Sequence, residues 1–223
     1  MLATNTFQAA DSLSERIAQH VGRQIIIGEL KAKERVQELK ICSDLGVSRG
    51  PVREALLILE RRHLVDILPR KGAMVSSLSV HQVNSLYDFY ISLLKMLVTS
   101  LADKWEDIAT LQPLLSKIAS MLEVDDADTD AIEDFLEDSF ELMRAAARIV
   151  DNPYLQESLE NLQPAIHRTY YLSMQIRNDG IATGKKFFQE MAQGVTKVDH
   201  ELLVKSVHEF AENQRKMVLE AVQ

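Results

Sequence analysis

Apolar residues fall on one helical face at the start of the chain. Leu13, Ile17, Val21 and Ile25 repeat every four positions, behind a Ser12/Glu15 pair at capping-box spacing, and the pattern ends near Gly28. A loop, ELKAKERV, leads to a short second helix at about residues 37–45, which stops at Leu45-Gly46-Val47. Ser48 is placed to cap a third helix, and Pro51 is tolerated in its first turn. There Val52, Leu56 and Leu59 form one stripe, while Arg49 and Arg53, four apart, share a neighbouring face. After Arg62-His63 the period changes. The runs LVDIL and AMV, joined by PRKG, predict a small β-hairpin. From Val80 onward the period is helical again, predicting helices at roughly 80–104, 107–122, 128–149, 153–178, 185–208 and 210–222.

Helix, helix, turn, helix and hairpin within about 65 residues predict a winged helix-turn-helix. The expected fold class is mainly α: residues 1–78 form that head, and residues 79–223 form an all-helical bundle for effector binding and dimerisation. SSLSVHQVN is the hinge between them.

Charge follows the same division. The chain of 223 residues has a net charge of −8, which by itself argues against nucleic acid. Residues 1–80, however, carry 12 Lys+Arg against 9 Asp+Glu, a net of +3, and the remainder carries −11. The basic half is the candidate for phosphate. No apolar run reaches the length of a membrane span, and the N-terminus lacks the basic and apolar regions of a secretory leader. The single cysteine, Cys42, sits in an apolar register and reads as a small core residue. A cytoplasmic protein without a membrane partner is expected.

The chemistry sits on the third helix and the hairpin. An arginine near the start of a recognition helix bonds guanine O6 and N7 in bidentate fashion, and the helix N-terminus offers N–H groups to a phosphate. Ser48, Arg49, Gly50, Pro51 and Arg53 occupy that helix start, with Gly50 leaving room for close approach. Arg70, Lys71 and Gly72 form the tip of the wing. The alternative is that Arg49 and Arg53 are surface charges paired with Glu54 or Asp44.

The stretch LGVSRGPVREAL, followed by LV and PRKGAMV, resembles the DNA-binding domain of the GntR family of bacterial transcription regulators. That resemblance implies contacts to operator bases or phosphates by Arg49 and Arg53. It also implies a helix start lined by Ser48, Gly50 and Pro51, and a wing tip at Gly72. Gly50 departs from the family, where Thr or another residue is usual.

The helical remainder resembles the FCD effector domain of the FadR-like branch, at the smaller, VanR-like size, through DNPYL and VDHELLVKSV. Many such domains hold a divalent metal through an Asp-x3-His pair and two later histidines. Here those positions read Glu137, Glu141, His200 and Val222, so no metal and no cofactor are expected. The Arg-x3-Glu of the first helix in that family is replaced by Tyr90 and Leu94. A pocket lined by aromatic and aliphatic groups is therefore expected, among Tyr90, Leu94, His167, Arg168, Tyr170, Tyr171 and His200. Its occupant would be a larger, more apolar small-molecule effector, or none.

These features imply a ligand-responsive transcription regulator, not an enzyme, that binds a palindromic double-stranded operator as a homodimer and acts as a repressor. Two other classes stand beside it. One is a DNA-binding dimer whose second domain has lost ligand binding. The other is an enzyme with an accessory DNA-binding head, for which the sequence offers no phosphate loop, nucleophile-base pair or closed metal set.

Overall fold

Ser12 opens the first helix, its hydroxyl accepting the Glu15 N–H at 3.1 Å, and α1 runs Leu13–Ile26. The computed structural model describes residues 12–104, 108–125, 131–174 and 180–222. The N-terminus read above for a leader, much of the acidic stretch EVDDADTDAIED and the end of the expected 153–178 helix lie outside the described residues. Two units divide the chain, Met1–Ser77 and Leu78–Gln223.

In the first unit, α2 (Glu38–Leu45) and α3 (Arg49–Arg61) follow α1. Strands β1 (Val65–Leu68) and β2 (Gly72–Val75) then pair antiparallel, with Val65 opposite Val75 and Leu68 opposite Gly72. The buried residues of α1 and α3 meet the inward side chains Val65, Ala73 and Val75 in one core. Gly22 permits the close approach: a Cβ there would stand 3.3 Å from Leu59 Cδ2. Cys42 is partly buried against this core.

ELKAKERV is more than a connector. Val36 N–H donates to Ala73 C=O at 2.9 Å and Val75 N–H to Glu34 C=O at 2.8 Å, so this segment lies along the free edge of β2. The pairing covers an edge that a two-stranded hairpin would leave open.

The second unit consists of α4 (Val80–Lys104), α5 (Ile108–Leu122), α6 (Ile132–Val150), α7 (Pro153–Met174), α8 (Gly180–Lys197) and α9 (His200–Ala221). DNPYL makes the turn into α7. Asp151 takes the left-handed conformation that ends α6, and Asn152 Oδ1 accepts the Leu155 N–H at 3.1 Å, just before Pro153. Lys104 places its ammonium on the Val150 carbonyl at the end of α6, and Lys185 places its own on the Val124 carbonyl just beyond α5.

The last two helices differ from the expected spans of 185–208 and 210–222. The break falls at Val198-Asp199. Val198 is left-handed (φ 53°), and Asp199 caps α9 by accepting the Leu202 N–H at 2.9 Å. The reversal folds Leu203 over Gly194, where a Cβ would lie 2.7 Å from Leu203 Cδ2. An N-cap and a glycine outweigh an apolar period that continues past them.

The core of this unit holds three buried phenols. Thr169 donates its hydroxyl to Ile166 C=O at 2.7 Å, so Tyr87 is the donor in its 2.9 Å bond to Thr169 Oγ1. The Arg215 guanidinium lies 5.9 Å from the Tyr87 ring centroid and pairs with Asp88 at 2.7 Å. No described helix is long and apolar enough to cross a membrane.

Burial raises the Tyr87, Tyr90 and Tyr170 phenols above their ordinary value, by disfavouring the phenolate. A group raised on folding contributes stability that is complete below its unfolded pKa, about 10 for tyrosine, and is lost as pH rises beyond it. Thermal melts from neutral pH to beyond that value, followed by tyrosinate absorbance, are expected to show these three phenols ionising together with unfolding. Their ionisation in a still-folded chain would contradict this.

Candidate nucleic-acid interface and ligand cavity

The face that α3 offers is set by the face it buries. Val52, Ala55, Leu56 and Leu59 are all at most 3% exposed, which leaves Arg49, Gly50 and Arg53 on the outside and Pro51 half-buried. Gly46 makes the turn before it. Its φ of 64° is left-handed, and Val47 N–H donates to Cys42 C=O at 3.1 Å, closing α2. Ser48 then takes the extended N-cap conformation, but its hydroxyl makes no capping bond. The first-turn N–H groups of α3 are therefore not closed off by the residue expected to cap them.

Arg53 pairs with neither Glu54 nor Asp44. Its Nε lies 3.2 Å from Glu38 Oε2, and 66% of the side chain remains exposed. Glu38 orients the guanidinium and leaves its outer nitrogens free of that bond. Glu54 instead accepts from the Ser14 hydroxyl at 2.6 Å, tying α3 to α1. Arg49 makes no ion pair or hydrogen bond among the described residues. A Cβ at Gly50 would meet no atom within 4 Å, so the fold of the head does not itself demand glycine there.

The wing is a four-residue turn closed by Lys71 N–H donating to Leu68 C=O at 3.1 Å. Pro69 and Arg70 occupy its centre, and Arg70 is left-handed (φ 64°), a conformation that costs a side-chain-bearing residue about 1–2 kcal/mol. Gly72 is also left-handed (φ 80°). Arg70 and Lys71 are exposed. Arg35 stands beside them: a Cβ on Gly72 would lie 3.7 Å from its Nη2. The sequence pattern alone places Arg35 in a loop. Its place follows from the edge pairing along β2.

In the helical unit, side chains from all six helices line a cavity of about 150 Å³. Tyr90, Leu94 and Tyr170 line it, whereas His167, Arg168, Tyr171 and His200 do not. The His167 ring packs against Phe140 at 5.4 Å between centroids. Arg168 is 7% exposed, and burial lowers its pKa. His200 Nε2 sits 3.0 Å from Asp103 Oδ1. Among the described residues the lining contains no Asp, Glu, Lys, Arg or His. It does contain Gln214, absent from the expected set, at 4% exposure. Its sequence signal was a polar residue within the apolar stripe Leu203, Val207, Ala211 and Val218.

The metal positions of the resembling domains do not fit an ion here. Glu137 pairs with Arg144 at 2.8 Å, Glu141 with Lys117 at 3.1 Å, and Val222 has no side-chain donor. Hydrogen bonds to Asp138 and then Glu141 raise the Lys117 pKa, so these carboxylates serve an ammonium. No group of three or more His, Cys, Asp or Glu side chains with metal-binding geometry occurs among the described residues.

Residues 13–75 match the family described as "Bacterial regulatory proteins, gntR family". The gluconate operon transcriptional repressor of Bacillus subtilis (strain 168) is 29% identical over 202 residues, covering 88% of this chain and 76% of that protein. The transcriptional regulator McbR of Escherichia coli (strain K12) is 28% identical over 121 residues, covering 52% of this chain and 54% of its own. Among solved structures, E. coli McbR/YncC has the same fold, with a TM-score of 0.69 at 21% identity, covering 95% of this chain and 99% of that one. A putative GntR regulator from Rhodococcus sp. RHA1 follows at a TM-score of 0.64 and 18% identity, covering 94% and 99%.

Two left-handed residues of the head separate strain from need. Gly46→Ala puts a Cβ on a φ of 64° and is expected to destabilise the head by about 1 kcal/mol. Arg70→Gly removes the same strain from the wing and is expected to leave the urea midpoint unchanged or raise it. A lower midpoint for Arg70→Gly, or none for Gly46→Ala, would contradict this account of the two turns.

Proposed function

We propose that this chain, whose residues 13–75 match the GntR family of bacterial regulatory proteins, is a DNA-binding transcription regulator, a repressor that binds a palindromic operator as a homodimer and responds to a small molecule. One observation carries the DNA-reading part: Arg49 and Arg53 stand on the exposed side of α3, directly after an open helix start. In this reading both arginines reach base edges in the major groove, and Ser48, Gly50 and Pro51 bring the helix start against a phosphate. Arg70, Lys71 and Gly72 follow the neighbouring backbone or minor groove, joined by Arg35. The protein works where its operator is, in the cytoplasm.

A single head reads only a few base pairs, and two-fold pairing doubles the site. Support for dimerisation through the helical unit comes from α4, where Phe89 is 52% exposed and Met96 50%, seven residues apart on one face. The cavity favours a ligand-responsive unit over one that only dimerises. The ion pairs at Glu137 and Glu141 support an effector site that works without metal.

Arg49→Ala and Arg53→Ala are each expected to weaken operator binding by about 1–3 kcal/mol and to relax sequence preference. Lys71→Ala is expected to weaken all sequences alike and to flatten the salt dependence. Equilibrium gel retardation on operator and scrambled duplexes reads both. Wild-type affinity in both arginine variants would remove the assignment. For the dimer, Phe89→Glu combined with Met96→Glu is expected to give monomers by sedimentation and to abolish two-fold operator protection. A double variant that stays dimeric rules out this face.

A further inference from the structure

We propose that the cavity of the helical unit takes an uncharged, mainly apolar small molecule carrying one hydrogen-bonding group, which the Gln214 amide and the Tyr170 hydroxyl receive. The inference rests on the reading of that unit as an effector domain and names the chemical class of its ligand.

Three observations converge on this class. Among the described residues the lining has no ionised side chain, so an anion entering it would give up its hydration with no cation from them to replace it. Most of the polar groups present are already occupied. Ser139 donates to Phe135 C=O at 2.7 Å, Ser173 to Tyr170 C=O at 2.9 Å, and the Tyr90 hydroxyl to Met143 Sδ at 3.7 Å. Gln214 and Tyr170 differ. They are 4% and 6% exposed, and neither polar end has a hydrogen-bond partner among the described residues. Among the described residues Arg215 Nε is the only sealed side-chain atom without a partner, so the Gln214 and Tyr170 polar ends keep some open surface, and as lining residues they mark where a ligand's polar group belongs. A cavity of about 150 Å³ has room for a ligand on the scale of one benzene ring.

The anchor also has a route to the rest of the unit. Next to Gln214 on α9 is Arg215, which holds Asp88 of α4 at 2.7 Å, and Asp88 adjoins the exposed Phe89. A ligand bonded to Gln214 thus bears on the tie between α9 and the outer face of α4, the face proposed above for the second subunit.

The test titrates the full chain calorimetrically with benzyl alcohol, toluene and benzoate at neutral pH. Benzyl alcohol is expected to bind about tenfold or more tightly than benzoate, and more tightly than toluene. Gln214→Leu is expected to erase the preference for the alcohol over toluene while toluene still binds. Three results would each overturn the inference: benzoate binding as tightly as the alcohol, no binding of either neutral probe up to its solubility, or a Gln214→Leu chain that keeps the preference. The comparison of alcohol with benzoate uses the unmodified chain, so it stands even if the variant fails to fold. Operator affinity measured with and without the alcohol separates the two levels. Binding as expected with no change in operator affinity supports the ligand class and overturns ligand responsiveness.

Discussion

Helix α3 is held to α1 by one apolar stripe, Val52, Ala55, Leu56 and Leu59, and that burial fixes what its opposite side presents. A helix has one period, so a stripe committed to the core commits the residues between its members to solvent. Arg49 and Arg53 are outward because Val52 and Leu56 are inward. The polar contacts keep this arrangement from sliding. Ser14 bonds Glu54, Glu15 pairs with Arg62 at 2.8 Å, and Glu60 accepts the Ile67 N–H at 3.1 Å. The last of these bonds the hairpin to the same helix that carries the two arginines.

The helical unit solves a different problem. It carries most of the acidic residues of the chain, yet among the described residues no ionised group lines its cavity. Its buried polar groups are spent on internal order, Tyr87 with Thr169 and Arg215 with Asp88. At the positions where resembling domains place metal ligands, this chain has Glu137 and Glu141 paired with Arg144 and Lys117. Its net negative charge disfavours approach to phosphates, in contrast to the net positive charge of residues 1–80.

The elements legible in the sequence were those whose signal is local. The capping box at Ser12, the stripe of α3 and the Pro/Gly wing each specify structure within a few residues. What the sequence concealed depends on partners far along the chain. Nothing local says that residues 33–36 pair with β2, and Arg35 gains its position only through that pairing. The α8–α9 break was missed because apolar periodicity runs through it, although Asp199 and Gly194 carried the signal. In the cavity, Tyr90, Leu94 and Tyr170 were found from aromatic and aliphatic spacing. His167, Arg168, Tyr171 and His200 have the chemistry of pocket groups but do not line the cavity, whereas Gln214 does.

Hydrogen–deuterium exchange on the full chain, with and without a duplex that it selects from a random pool, tests whether the face set by α3 reads DNA. Peptides covering residues 46–53 and 69–72 should gain protection on binding, while the buried face of α1 and the cavity helices stay unchanged. Protection that appears on the helical unit and leaves those two segments untouched would contradict the account.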